Sequence, residues 1–261
     1  MYKAYEFTFA GIPASAFGMF ISDIGNKKHG DNVFGNQANV VETRIANRIK
    51  PLHFGVRYND NPLEFSLIFG AEYEMDRYQL QEVAQWLTGY QEYQWLTIDQ
   101  PDMEKVQFRC LIKSLTPISV GWIPYAFEAK ILCDSPYAYS YPFEEVIEVN
   151  GTTEHRFYND STVRERLCPQ IKIELSEDCT NFSITNNDTK EVMSFANLPT
   201  GGMTILIDNE NQVVREEGGR YNLYPYFNFQ FFELVSGDNN LTFDGIGKIT
   251  ISGQFLYNIG A

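Results

Sequence analysis

The chain has 261 residues, a formal net charge of −14 and 15% aromatic side chains, 20 Phe and 16 Tyr among them. A chain this acidic, with no Lys/Arg run, is excluded from gripping nucleic acid by neutralising phosphates. No apolar stretch approaches the ~20 residues a membrane-spanning helix needs.

An apolar content of 44% is enough for a core, and the aromatic bias favours strands over helices. The acidity is uneven: residues 1–142 carry 12 basic and 16 acidic side chains, residues 143–261 carry 8 and 18. The second half therefore holds most of it, which reads as solubility rather than as a calcium or acidic-ligand site. Cys110, Cys133, Cys168 and Cys179 contain no CxxC pair, so free thiols of a reducing compartment are expected. The first residues lack the basic-then-apolar layout of a secretory signal, and synthesis in the cytoplasm is the expectation.

Strict alternation at residues 5–9 predicts a half-buried strand, turned by Gly11-Ile12-Pro13, with a second strand at 19–24. Residues 25–39 show little periodicity and read as a long exposed loop, and 39–45 as a strand or a projecting arm. After a strand at 63–69 the period changes. Leu80, Val83, Ala84 and Leu87 fall at i, i+3, i+4 and i+7, predicting a helix from Asp76 to Thr88. Asp76 suits its N-cap, and Gly89 a left-handed position just past its end. Strands follow at 93–98, 106–115 and 122–133. In the last, Phe127, Ala129 and Ile131 share one face, and Pro136 ends the ladder. The domain boundary is placed near Pro142.

Beyond it the period is almost wholly two. Residues 146–149, 171–175, 182–185, 192–195, 203–207, 226–234 and 249–255 read as strands separated by Asn/Asp/Gly turns, one at 208–211 and another at 237–240. Short strands at such spacing indicate a sandwich or jelly roll.

Catalytic motifs are absent from the sequence. His29, His53 and His155 form no HxH or HExxH, and there is no GxSxG, phosphate loop or GxGxxG. The acidic doublets Glu144-Glu145, Glu177-Asp178 and Glu216-Glu217 point to opposite faces of any strand and read as solvated turns rather than a glycosidase pair. The run 208–212 lacks the glycine and terminal glutamate of a calcium loop. In the aromatic run 221–232, Phe227, Phe229 and Phe231 alternate as a core face, leaving Tyr224 and Tyr226 beside Pro225 as the exposed members.

The opening strand with Gly11-Ile12-Pro13 and Phe17-Gly18-Met19, the helix ending Trp86-Leu87, and Leu132-Cys133-Asp134-Ser135-Pro136-Tyr137-Ala138-Tyr139-Ser140 resemble the N-terminal domain of distal tail (Dit) proteins of long-tailed siphophages. Later fragments, Pro169-Gln170-Ile171-Lys172-Ile173, Phe182-Ser183-Ile184-Thr185-Asn186, Ile205-Leu206-Ile207-Asp208 and the stretch Val235-Ser236-Gly237-Asp238-Asn239-Asn240-Leu241, resemble that family's second domain. One departure is residues 49–55, which lack a Gly-Arg-Gly type turn.

The resemblance implies a mainly β chain of two domains. Residues 1–142 would be a ring-forming, β-sandwich-like domain with one α-helix, and residues 143–261 a galectin-like β-sandwich. It further implies a non-enzymatic hub at the tail tip of a virion, hexameric or a dimer of hexamers, with no cofactor or metal. Its partners would be the tail tube protein, a tail-associated fibre or lysin protein, and receptor-binding or baseplate proteins. DNA would only pass through the channel, and no membrane is involved. The candidate oligomer interface is the arm around Val41, Arg44, Arg48 and Phe54. The alternative is a carbohydrate-binding host-adsorption module that stacks sugars on Tyr224 and Tyr226; a glycoside hydrolase ranks third.

Overall fold

The structure is a computed structural model describing residues 6–22, 38–46, 48–58, 61–101, 103–120 and 123–259. It divides into two units, Met1–Ser140 with the chain end from Tyr257, and Tyr141–Leu256. The mainly β architecture with one α-helix in the first unit is the one expected. No helix of the described residues is long and apolar enough to cross a membrane.

In the first unit the strands are β1 (Glu6–Phe9), β2 (Ile12–Pro13), β3 (Met19–Ile21), β4 (Ala38–Thr43), β5 (Leu52–Tyr58), β6 (Glu64–Ala71), β7 (Gln94–Asp99), β8 (Val106–Val120), β9 (Ile123–Cys133) and β10 (Ala138–Ser140). Most form one antiparallel sheet in the order β2-β1-β7-β8-β9-β6-β3, with β10 alongside β8. Its inner face is aromatic. Phe7 stacks on Phe69 at 4.2 Å and on Trp86 at 5.8 Å, and the Trp86 indole N–H donates to the Phe9 carbonyl at 3.1 Å. Each such side chain, fully buried, contributes about 1.5–3 kcal/mol.

Trp86 belongs to α1 (Arg77–Thr88), which buries Val83, Trp86 and Leu87 and begins in a capping box: Asp76 accepts from the N–H groups of Tyr78 and Gln79, and Gln79 returns the bond to the Asp76 N–H. The expected left-handed Gly89 is instead right-handed, with φ −80°. Glycine is needed there for closeness, since a Cβ would lie 2.4 Å from the Gln85 carbonyl oxygen.

The second unit contains β11 (Phe143–Asn159), β12 (Gln170–Leu175), β13 (Phe182–Asn186), β14 (Glu191–Phe195), β15 (Thr204–Asp208), β16 (Val213–Glu216) and β17 (Gly237–Gly253); β18 (Leu256–Tyr257) then pairs with β10. Strands β11 and β17 pair over their whole 17-residue lengths, from Phe143↔Gly253 to Asn159↔Gly237. The far edge of β17 serves two partners, β13 along 241–244 and β12 along 247–252. The ladder passes from one to the other at Gly247, where a Cβ would lie 2.3 Å from the Glu174 carbonyl oxygen. The sheet, ordered β14-β13-β17-β12-β15-β16, thus curls over a single core that includes Phe182, Ile173, Phe243 and Ile249.

Two expected secondary-structure elements fail in this unit. Residues 226–234 are not a strand: Tyr224–Tyr226 form a 3-10 turn, and Phe229 sits at φ +59°, which breaks the alternation and leaves it 63% exposed. The Asn228 side chain takes the place of a strand, accepting from the Ser194 N–H at 3.1 Å and donating to the Val192 carbonyl at 2.7 Å. The turn expected at 237–240 is instead the start of β17. Its asparagine is an internal pin: buried Asn239 accepts from the Val235 N–H and the Asn186 amide, and donates to the Val235 and Gly237 carbonyls. By contrast the 208–212 turn joins β15 to β16 as a hairpin, closed by Asp208 accepting twice from Asn211.

Candidate functional site

Strands β4 and β5 pair only with each other, as a two-stranded ribbon apart from the main sheet. Neither packs substantially against another element among the described residues. Such a ribbon alone is at best marginally stable in water, yet this one displays apolar side chains. Val40 and Val56 face each other across the strands at 56% and 42% exposure, and Phe54 is 66% exposed. Phe54 is also the extra residue of a β-bulge: Val41 pairs with Gly55 and Glu42 with His53, and Gly55 takes φ +131°.

Val41, Arg44, Arg48 and Phe54 all fall on this ribbon or on the loop joining its strands. Val41 is half-buried, and the other three are exposed. Arg44, Arg48 and Lys50 have no acidic partner among the described residues, and Ile49 between them is fully exposed. Sequence reading overlooked Val40, Val56 and Ile49. A signal was present: Leu52, Phe54, Val56 and Tyr58 alternate with His53, Gly55 and Arg57, the pattern of a strand, and that alternation was not read.

The same unit carries an open groove of about 730 Å³. One wall is the Leu80, Ala84 and Thr88 stripe of α1, and the floor is Leu115 and Pro117 of β8 with Phe127 of β9. Strand β7 pairs with β8 only as far as Cys110, so the rest of that edge of β8 has no strand partner among the described residues. Pro117 removes one donor from the strand, which makes the edge a poor template for another strand. The charged residue lining the groove is Lys113, whose ammonium lies 2.6 Å from the Glu64 carboxylate.

At the end of β9 the Asp134-Ser135-Pro136 turn is tied down on three sides. The Leu63 N–H donates to the Ser135 carbonyl, the Asp134 N–H to the Arg109 carbonyl, and the Tyr137 N–H to Ser135 Oγ. Burial raises the Asp134 carboxyl above its ordinary value, against the lowering effects of the Tyr139 hydroxyl and the Arg109 guanidinium. Burial and the Asp134 charge push the Tyr139 phenol up to about 12. Cys110 and Cys133 face each other across β8 and β9, both reduced and buried, and burial pushes both thiols up, Cys133 to about 12.

Tyr224 and Tyr226 are half-buried rather than exposed; Tyr221 and Phe229 are the open members of that run. Tyr224 stacks on Phe229 with ring centres 5.9 Å apart. No group of three His, Cys, Asp or Glu side chains among the described residues is placed to hold a metal ion.

A curled sheet with one helix, a second curled sheet and a detached ribbon make up a chain that phage tail protein family models cover over nearly all of both units. The chain belongs to that family: residues 2–135 match the phage tail protein N-terminal domain and residues 137–253 the phage tail C-terminal domain. Its fold is shared with the Dit protein of phage SPP1, described as a paradigm of the hub adsorption apparatus in phages infecting Gram-positive bacteria. That similarity has a TM-score of 0.69 at 11% identity, over 97% of this chain and 100% of that one. A chain of the phage P2 baseplate in its activated, calcium-containing conformation aligns at TM-score 0.50 and 12% identity, over 97% and 98% of the two chains. The strontium form of that baseplate gives 0.50 and 12%, over 96% and 97%. No curated protein matches in sequence.

Proposed function

We propose that this protein is the structural hub at the distal end of a phage tail. Six copies, or two stacked sets of six, join side by side around a channel that DNA traverses. The tail tube protein docks on one side of the ring and a tail-associated fibre or lysin protein on the other. The second unit holds receptor-binding or baseplate proteins. The role is structural and involves no turnover; the protein is made in the host cytoplasm and incorporated into the virion.

The observation that carries this reading is the β4–β5 ribbon, which packs substantially on no other element among the described residues and exposes Val40, Phe54 and Val56. A device reaching from one copy to a different surface on the next is a heterologous contact, and such contacts close into rings when the rotation permits. The absence of a Lys/Arg stripe suits a channel wall to which DNA must not stick. Light scattering coupled to size exclusion should give six or twelve times the mass of one chain, and negative-stain images should show an annulus with a hole. A protein that stays monomeric at high concentration would exclude the hub role.

A second reading has its own support in the Tyr224–Phe229 stack, which offers an open aromatic face of the kind that packs on sugar rings. Titration calorimetry with host wall polysaccharides tests it: heat released by the wild type and lost in Phe229→Ala would establish a glycan contact. The same incubations should release no sugar, since the proposed role is not enzymatic.

A further inference from the structure

We infer that Cys110 and Cys133 are the two halves of a latent disulfide, a modification site at which oxidation ties β8 to β9. The inference stands apart from the hub reading and uses only the register of the first unit's sheet.

Cys110 faces Cys133 directly across the ladder, next to Leu111↔Leu132 and Ile112↔Ile131, and the first register shift comes only beyond Ile112. Antiparallel partners alternate between rungs joined by their own N–H and C=O groups and rungs whose backbone groups point away from each other. Two bonds fix which kind this is. The Asp134 N–H donates to the Arg109 carbonyl at 3.0 Å, so the neighbouring rung is the bonded one. The Cys133 N–H turns away from β8 and donates to the Leu63 carbonyl at 2.8 Å. The cysteines therefore occupy a non-bonded rung, where Cα atoms come to about 4.5 Å and side chains approach most closely. A disulfide spans Cα separations of about 4.4–6.8 Å, so the ladder needs no rearrangement to close one here. Both side chains enter the same core, at 0% and 1% exposure.

The other two cysteines are placed differently. Both lie in the second unit, and neither stands opposite another cysteine. Cys179 is already engaged, its Sγ donating to the Asn181 carbonyl and accepting from the Ile246 N–H.

Closing the bond requires an electron acceptor, and a small-molecule disulfide such as oxidised glutathione suffices. Cys133 is the last residue of β9, so fraying at the 134–136 turn uncovers its sulfur first. Its thiolate attacks one sulfur of the oxidant, forming a mixed disulfide and expelling one glutathione thiolate. The Cys110 thiolate then attacks Cys133 Sγ and expels the second. Two electrons pass from the cysteine pair to the oxidant, and the two thiol protons end on the released glutathione. Burial holds both sulfurs as thiols in the closed sheet, which makes the step slow at neutral pH and faster in alkali. A reducing compartment keeps the pair open, and an oxidising medium lets the bond persist once made.

The test is refolding of the full chain carrying Cys168→Ser in a glutathione redox buffer at pH 8.5, followed by blocking of free thiols, proteolysis without reduction and mass spectrometry. Cys168→Ser removes the half-exposed thiol that would otherwise link copies. Peptides joined through Cys110 and Cys133 are the expected main product. The Tm should rise by about 5–10 °C over the reduced chain and return to its value in dithiothreitol. Cys110→Ala in the same background should abolish the link and stop at a glutathione adduct on Cys133. Slow oxidation of the natively purified chain at pH 9 is a second route to the same readout. A chain that regains its native circular dichroism with all remaining thiols free would overturn the inference. So would a link that joins Cys179 instead, or a Cys110–Cys133 bond that lowers the Tm.

Discussion

The Tyr139 hydroxyl donates to Oδ1 of Asp134 at 3.1 Å, across the turn that ends the first unit's longest hairpin. Arg109 approaches the other oxygen at 3.6 Å, and the Trp95 ring meets Tyr139 edge-on at 5.5 Å. The Asp-Ser-Pro-Tyr-Ala-Tyr sequence is thus a closed corner, in which the phenol compensates a carboxylate that burial disfavours. Tyr139→Phe should cost about 1–2 kcal/mol in chemical denaturation. It should also remove one late-titrating tyrosine from an alkaline ultraviolet titration, because the phenol ionises at about 12.

Asp134 gives a pH signature of its own. Its carboxyl is raised in the folded chain, so the native state takes up this proton before the unfolded state does. That uptake adds stability as pH falls through the folded value. Asp134→Asn has no proton to take up and lacks the gain. The difference in Tm between variant and wild type should therefore move in favour of the wild type as the pH is lowered from neutral to acidic. A difference that stays constant would show that Asp134 titrates alike in both states.

Gly247 is the point where β17 changes partners, and a methyl there would meet a backbone oxygen that has no rotamer to retreat into. Gly247→Ala should destabilise the second unit by about 2–4 kcal/mol, at the upper end of single substitutions. Calorimetry of the full chain should show the loss, and a variant that melts with the wild type would disprove the close approach.

Asn239→Leu should be equally harmful for a different reason. It leaves the Val235 N–H and the Asn186 amide without their buried acceptor, at about 1–3 kcal/mol each. Asn239→Asp keeps the acceptor and should recover part of the loss.

Thiol chemistry reports on the first core. Cys110, Cys133 and Cys179 are buried and Cys168 is half-exposed. A native thiol assay at pH 8 should find one slow-reacting group, which Cys168→Ser abolishes, and four groups after unfolding. Rapid native labelling of Cys110 or Cys133 would mean that β8 and β9 part readily.

Sequence reading succeeds where burial imposes a period. The Leu80/Val83/Ala84/Leu87 stripe is on α1, and the alternation of Phe127, Ala129 and Ile131 marks the inner face of β9. It fails where tertiary bonds override local chemistry. The strand expected at 146–149 is only part of β11, which runs on to Asn159 because β17 pairs with every residue of it. Asn239 has the composition of a turn but serves as a buried pin, whereas the turn expected at 186–188 is present, with Asn186 accepting from the Asp188 and Thr189 N–H groups. Phe229 fits an alternating strand, but a left-handed backbone turns it outward. The ribbon was half legible: its charged loop and Phe54 were recognised, whereas Val40 and Val56 were overlooked although Leu52, Phe54, Val56 and Tyr58 alternate as a strand does. The groove was not legible at all, because its walls come from residues up to 47 positions apart, Leu80 to Phe127.

The pairing of Phe143 with Gly253 has a further consequence. The second unit's first and last long strands start and finish on the same rung of one ladder, so the chain enters and leaves this unit through almost the same point. A module stitched in this way can be swapped for another with equally close ends, or trimmed and enlarged at its distant loops, without dragging on the polypeptide around it.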